Sequence, residues 1–467
     1  MTAATGVTEG PGDPEDRGTD GGSDGDGGGG RGGTFLALRN RNFRLYFRGQ
    51  LVSNTGNWLT NVAITLLVLD ITDSGLAVGL LAACQYGPIL LLSAWAGAIA
   101  DRLDKRRLLI VTQSLEMVQS FALAAVAFLP DPSIGALYVL AAFGGTLLAF
   151  DNPLRRSFVS EMVPPEDIPN AVVLYSTIVN VSRIFGPALA GLLVVTLGYG
   201  WAFAIDGASY LTVLASLAMM RPHELYREPP KPRSRGEVRA GLRYVRSLPH
   251  LWITFAMLGA IGTISYNFNV TLPLFVTDAL DGTEGEFTIL YSVFSVGAVS
   301  SALIVARRRM VRIDHIVRGA VALGIAMLLL SIVPGVAAGG PAVFLVGMAS
   351  VLYMTATTSI VQVEAKHEMH GRVLALQTVV LIGTAPIGGP ILGWVSDALG
   401  ARWPLVLGGV VSLLTAGFGA WATRRFAGDD EVREDEVREG AAIEVPAAPP
   451  TAEPVRTLGR DDDEIGV

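Results

Sequence analysis

The chain is a series of apolar runs separated by short polar segments. Each run is close to the about 20 mainly apolar residues that cross a bilayer as a helix. Twelve spans are predicted, at about 48–70, 75–100, 108–129, 134–154, 171–197, 201–220, 251–278, 286–306, 316–334, 341–362, 373–398 and 402–423. Several contain proline (Pro88, Pro187, Pro273, Pro390). Membrane helices tolerate this where neighbouring helices satisfy the freed backbone groups.

The polar segments alternate in charge. With the N-terminus inside, the inner segments hold Arg39, Arg41, Arg44 and Arg48, then Arg102, Lys105, Arg106 and Arg107, then Arg155 and Arg156. Eight basic residues in 221–246 follow, then Arg307, Arg308, Arg309, Arg312 and Arg318, then Lys366, Arg372, Arg424 and Arg425. The six outer loops hold one, Arg402. Basic residues favour the cytoplasmic side of short loops, and a missed or invented span would scramble the alternation. The expected fold class is therefore all-α integral membrane, with twelve transmembrane helices and both termini cytoplasmic.

Sliding the sequence by 202 residues lays Gly186, Gly191, Leu197, Gly198 and Trp201 on Gly388, Gly393, Leu399, Gly400 and Trp403. The fifth span thus matches the eleventh, which predicts two six-helix pseudo-repeat bundles with a site between them. The expected organisation is a disordered Gly/Asp-rich tail at 1–33 and an N-terminal bundle at 34–220. A cytoplasmic linker at 221–250, a C-terminal bundle at 251–426 and a disordered acidic tail at 427–467 complete it.

Composition agrees. Of 467 residues, 51% are hydrophobic and 16% charged, against about a quarter charged in soluble domains. The net charge of −7 resides in the tails, which carry −5 and −9, leaving +7 for 34–426. The glycine run at 21–33 follows no strand and precedes no Gly-Lys-Ser/Thr, so it reads as a linker rather than a phosphate loop. No short apolar stretch follows a basic start, so a cleaved signal is not expected. Cys84 is the only cysteine, which excludes an internal disulfide and a thiolate metal cluster. Three lysines among 35 basic residues suggest a high-GC, bacterial genome and hence a multi-pass protein of the cell membrane.

Two charges lie deep in spans: Glu116 in the third and Arg183 in the fifth. Such residues are functional candidates by default. Gln113, Glu116 and Ser120 share one helical face, which is expected to look into the bundle. Glu116 can be read as a proton carrier, since burial disfavours a charged carboxyl, or as a structural partner of Arg183. Asp151 and Asp206 lie nearer span ends, where solvated structural roles are expected. The first span carries a polar stripe, Asn54, Asn57, Asn61 and Thr65. Tyr266, Asn267 and Thr271 mark the seventh span, and Tyr353, Thr357 and Gln362 the tenth. These groups read either as cavity lining or as interhelical hydrogen bonds worth about 0.6 kcal/mol each.

Three motifs carry a resemblance. After the second span comes Gly97-Ala-Ile-Ala-Asp101-Arg102-Leu-Asp104-Lys105-Arg106-Arg107, and after the fourth Asp151-Asn-Pro153-Leu-Arg155-Arg156-Ser-Phe. The fifth holds Asn180-Val-Ser-Arg183-Ile-Phe-Gly186-Pro187-Ala-Leu-Ala-Gly191. Across about 40–425 the chain resembles the major facilitator superfamily, most like its enterobactin-exporter and macrolide-efflux branch. Asp104 stands where many members have a turn glycine, the loop at 306–312 keeps only arginines, and the Gly186–Gly191 motif is a shortened form of the exporters'. The resemblance implies that Asp101 locks one conformation, with Arg102, Arg106 and Arg107 pairing inner-surface acids and Arg155 facing Asp101. It also implies that the first, fourth, seventh and tenth spans line a central cavity, which makes Asn54, Asn57, Asn61, Tyr266, Asn267, Tyr353 and Thr357 the candidate lining.

The expected function is proton-coupled export of small amphipathic compounds (drug, antibiotic or siderophore) by a monomeric antiporter. A lipid or lysolipid flippase of the same fold and a non-transporting membrane sensor are the alternatives. An enzyme is not expected: there is no His-Glu-x-x-His and no Gly-x-Ser-x-Gly, and His367 and His370 read as surface residues. The expected partners are the small-molecule substrate, the lipid bilayer and protons, with no cofactor, metal or nucleic acid.

Overall fold

The structure, a computed structural model, describes residues 35–100, 103–226, 237–306, 313–366 and 369–443. Among these the secondary structure is helical, with no strand. The helices are α1 (Arg41–Thr72), α2 (Gly75–Ala100), α3 (Lys105–Ala127), α4 (Ile134–Glu161), α5 (Ile168–Leu197), α6 (Tyr199–Met219), α7 (Glu237–Ser247), α8 (Pro249–Ile264), α9 (Phe268–Leu274), α10 (Glu284–Ala306), α11 (Ile313–Ser331), α12 (Val336–Glu364), α13 (His370–Leu399) and α14 (Trp403–Ile443).

Eleven helical stretches of the described residues are long and apolar enough to cross a membrane, one of them joining α8, α9 and a π turn over Pro249–Ala279. The long helix α1 is not among the eleven. Its arginines and its asparagine stripe dilute an otherwise apolar sequence. The short helix α7 falls within the expected linker, and its Val245 is buried with Val361, Ala365 and Val373. The last helix runs past residue 426 to Ile443. That extension is rich in Glu and Arg, both good helix formers.

Neighbouring helices pack in two groups. In the first, α1 lies against α5 and α6, α2 against α4, and α3 against α4 and α6. In the second, α8 lies against α13 and α14, α10 against α12, and α11 against α12 and α14. Two seams join the groups, α2 on α13 and α5 on α10. The two turns that the 202-residue displacement superposes share one backbone device. Gly198 (φ 86°) ends α5 and Gly400 (φ 103°) ends α13, a conformation that side chains other than glycine rarely adopt.

The α2–α13 seam depends on missing side chains. A Cβ on Gly79 would overlap the carbonyl of Gly389, and one on Gly393 the carbonyl of Gly75. Lipid tails are as apolar as leucine, so helices in a membrane associate through close backbone approach rather than a hydrophobic drive. Gly79→Leu is therefore expected to force the seam apart at a cost of about 1–3 kcal/mol. The thermal unfolding midpoint of the purified protein in detergent should fall, whereas Gly340→Leu, with open space around its α-carbon, should leave it nearly unchanged.

Candidate functional site

The face of α3 bearing Gln113, Glu116 and Ser120 is buried in the bundle, and it meets charge there. Arg155 of α4 forms an ion pair with Asp151 one turn earlier and lies 3.4 Å from Glu116 Oε2. The same guanidinium donates to Gln50 Oε1 of α1 at 2.6 Å and to Asn54 Oδ1 at 3.4 Å. Gln113 ties the acids together, its amide donating to Asp151 at 2.8 Å and Glu116 at 2.9 Å. Relative exposures of 0% for Asp151, 3% for Arg155 and 4% for Glu116 place the cluster out of solvent. One cation thus answers two acids, helped by neutral amides.

A third acid lies nearby on α6. Asp206 is 1% exposed and accepts from Thr60 and Ser120, each at 2.7 Å, and from Ser209 at 3.4 Å. Glu116 and Asp206 both line a cavity of about 70 Å³, together with Asn57, Asn61, Gln85 and Tyr210. The cavity lies among α1, α2, α3, α4 and α6.

Several expectations need correction. Asp151 and Asp206 are not solvated residues of span ends: α4 is 28 residues long, about 42 Å at 1.5 Å per residue, so its final turns remain packed inside the bundle. Glu116 pairs with Arg155 rather than Arg183, because α4 and not α5 lies against α3. Arg183 instead places its guanidinium 5.3 Å from the ring centre of Trp58.

In the loop after α2, Asp101 and Arg102 lie outside the described residues, and Gly97 falls in the last turn of α2. Arg155 is engaged by the buried cluster. Among the described residues Arg106 meets no acid but donates to the carbonyls of Leu217 (2.8 Å) and Ala218 (3.4 Å), which the end of α6 leaves without helical partners. Arg107 is exposed. Lys105 takes the acid, reaching Glu161 of α4 at 2.6 Å. Asp104 caps α3 by accepting from the Arg107 amide at 3.0 Å, which is why an acid serves where the related loops have glycine.

The candidate lining separates. Asn57 and Asn61 line the cavity, and Asn54 belongs to the charge cluster. Asn267 sits in the break between α8 and α9, where its amide donates to the carbonyls of Gly262 (3.2 Å) and Thr263 (2.7 Å). Tyr266 donates to the Ser350 carbonyl at 3.0 Å. Tyr353 and Thr357 are fully buried, and Tyr353 packs on Gly319 of α11. In α5, Gly186 lets Trp58 approach and Gly191 lets Thr288 of α10 approach, while Pro187 is buried between them.

The seams tighten toward one end of the bundle. Asp397, near the end of α13, receives three hydrogen bonds at the start of α2: from Ser74 Oγ (2.8 Å) and from the backbone amides of Gly75 (2.6 Å) and Leu76 (3.0 Å). A carboxylate there satisfies free helix amides and complements the positive end of the dipole. On the other seam, Tyr199 donates to Glu284. The inter-group contacts extend from this end to mid-helix, where Ser295 donates to the Arg183 carbonyl at 3.1 Å.

Membrane-length helices in two groups, a polar cavity among them and charges shared inside define a multi-pass membrane transporter. A family model described as transmembrane secretion effector matches residues 32–439, and the chain belongs to that family, a branch of the major facilitator superfamily. It is a family of transporters rather than enzymes. The chain is 26% identical over 270 residues to a staphyloferrin A transporter of Staphylococcus aureus, an alignment covering 56% of this chain and 66%, just under two thirds, of that protein. It is 25% identical over 389 residues to the enterobactin exporter of Escherichia coli, covering 81% and 88%. Among solved structures, a bacterial homologue of the human lysosomal transporter Spinster superposes with a TM-score of 0.67 at 15% identity, covering 84% of this chain and 98% of that one. A POT family transporter superposes at 0.68 and 12%, covering 82% and 96%.

Two outcomes follow from the geometry. Arg155→Gln leaves buried acids without their cation and should cost about 3–5 kcal/mol, read as a fall in the unfolding midpoint. Combining it with Glu116→Gln should recover part of the loss. Asp397→Ala removes the cap on α2 and should cost about 0.5–2 kcal/mol of closure. Spin labels on the first turn of α2 and the last turn of α13 should then report a larger population of long distances.

Proposed function

We propose that this chain exports small amphipathic compounds of the siderophore type by proton-coupled alternating access, as a monomer with twelve spans in two six-helix halves. The observation that carries the reading is the charge balance inside the first helix group. Asp151, Glu116 and Asp206 are buried with one nearby guanidinium, that of Arg155, so full ionisation leaves two charges unbalanced, which bound protons remove. Glu116 and Asp206 also border the cavity, which gives a proton a path to them. Intramembrane carboxyl groups of this kind are the usual stations of proton relays.

Charge asymmetry supports the orientation. Arg41, Lys105, Arg106 and Arg221 gather at the end of the bundle opposite Asp397, and basic residues favour the cytoplasm. On that assignment both termini are cytoplasmic and the Asp397 seam closes the outer side. The described state then faces inward, as an exporter must when it loads. The α2–α13 and α5–α10 seams are the surfaces that exchange contact as the halves rock, which is the general motion of repeat-built transporters. The named activities of the S. aureus and E. coli relatives support siderophores as the substrate class.

The test is reconstitution in liposomes with an imposed pH gradient, whose collapse is followed as siderophores, drugs or lysolipids are added. Wild type is expected to collapse the gradient with siderophores, and Glu116→Gln to abolish that collapse while leaving the protein folded. Collapse that survives Glu116→Gln would keep antiport but make Glu116 a structural partner of Arg155. No collapse with any compound would sink the proton-coupled reading and favour the flippase or the sensor.

A further inference from the structure

Among the described residues, the arginines that are not exposed are satisfied with one exception. Arg155 has its acids and amides, and Arg106 has the carbonyls at the end of α6. Arg402 donates to the carbonyls of Ser331 (2.7 Å), Val333 (2.8 Å) and Ala279 (3.2 Å). Arg183, at the midpoint of α5, is different. Among the described residues its guanidinium has neither a carboxylate nor a hydrogen-bond acceptor; its one close partner is the Trp58 face. A charge at the bilayer centre costs about 2.5–3.5 kcal/mol on insertion scales, and a cation–π contact recovers about 0.5–2 kcal/mol of it. The donors of the guanidinium are still free.

The surroundings suit a ligand. Gly186, one turn after Arg183, brings Trp58 against α5, so the ring is held under the guanidinium by backbone packing. Trp58 also borders a narrow gap of about 10 Å³ that touches Asn61, Asn269 and Tyr291. Within it Tyr291 donates to Asn269 at 2.6 Å, and Asn269 donates to the Tyr86 hydroxyl at 3.0 Å. These residues come from α1, α2, α5, α9 and α10, so the place lies where the two helix groups meet. No acid is among them. An unpaired planar cation beside aromatic walls, at the junction that must open and close, matches a planar oxyanion on an apolar or aromatic body. Carboxylates and catecholates both have that form, and arginine binds such groups in a bidentate fork.

We infer that Arg183 is the anion-recognition residue of the substrate site, with Trp58 and Tyr291 as the walls for the substrate's planar body. The substrate class is thereby narrowed to organic anions, and the assignment rests on the transport reading above. It separates two tasks: Arg183 selects cargo at the junction, and the Arg155 cluster handles protons inside one group.

The test uses the full-length protein in nanodiscs and isothermal titration calorimetry with three probes of one shape: 2-naphthoate, neutral 2-naphthamide and cationic 2-naphthylmethylamine. Wild type is expected to bind the carboxylate at least about tenfold more tightly than the amide, the scale of one charge-assisted hydrogen bond. Arg183→Gln should erase that preference, and Arg183→Lys should keep part of it. Equal binding of the three probes by wild type, or no binding of any, overturns the assignment without needing a variant. A preference that persists in folded Arg183→Gln overturns it too. Proton flux measured on the same preparations separates the two readings: an Arg183-dependent preference without flux keeps the anion site and removes proton coupling, and flux without a preference does the reverse.

Discussion

Hydrocarbon offers a buried charge no solvent, so each ionised group within this bundle has to be answered by protein, and the Arg155 cluster is where that demand is greatest. Its guanidinium draws together α1, α3 and α4 through Gln50, Glu116 and Asp151, while Gln113 joins the two acids across α3 and α4. Helix positions that apolar packing alone would leave free to slide are registered by these short polar contacts. Replacing such a network by apolar residues would often not weaken a protein. The cluster borders a cavity and has a third acid close by on α6.

The connection between the two helix groups follows a different rule. Along α2–α13 the backbones touch through glycine, along α5–α10 Gly191 admits the Thr288 side chain, and the polar contacts run from the Asp397 end to mid-helix. Close approach without a strong hydrophobic drive gives seams that hold well but part at modest cost.

Much of the fold was legible from hydropathy, because a bilayer imposes a length and an apolarity on each crossing helix. The 202-residue repeat was legible for a related reason. Gly198 and Gly400 occupy the same left-handed turn, so the constraint on residue type was imposed twice. The face Gln113–Glu116–Ser120 could be read from helical spacing. Asp151 and Arg155, four apart, carried the same signal, but a window of hydropathy treats the end of a long helix as the edge of the membrane. Asp206 had no polar neighbour at helical spacing before it to mark its face, and its hydroxyl partners Thr60 and Ser120 come from other helices.

The sequence by itself determined apolar helices long enough to cross a membrane, the basic segments between them and the list of residues able to do chemistry. These properties follow from local composition and a period of 3.6, and solvent enforces them at every position. Only the tertiary structure decided the pairing. It gave Glu116 to Arg155 and left Arg183 to Trp58, because α3 packs on α4 while α5 packs on α1 and α10. Partnership between charges depends on which helices are neighbours, and that is set by packing between segments far apart in the chain.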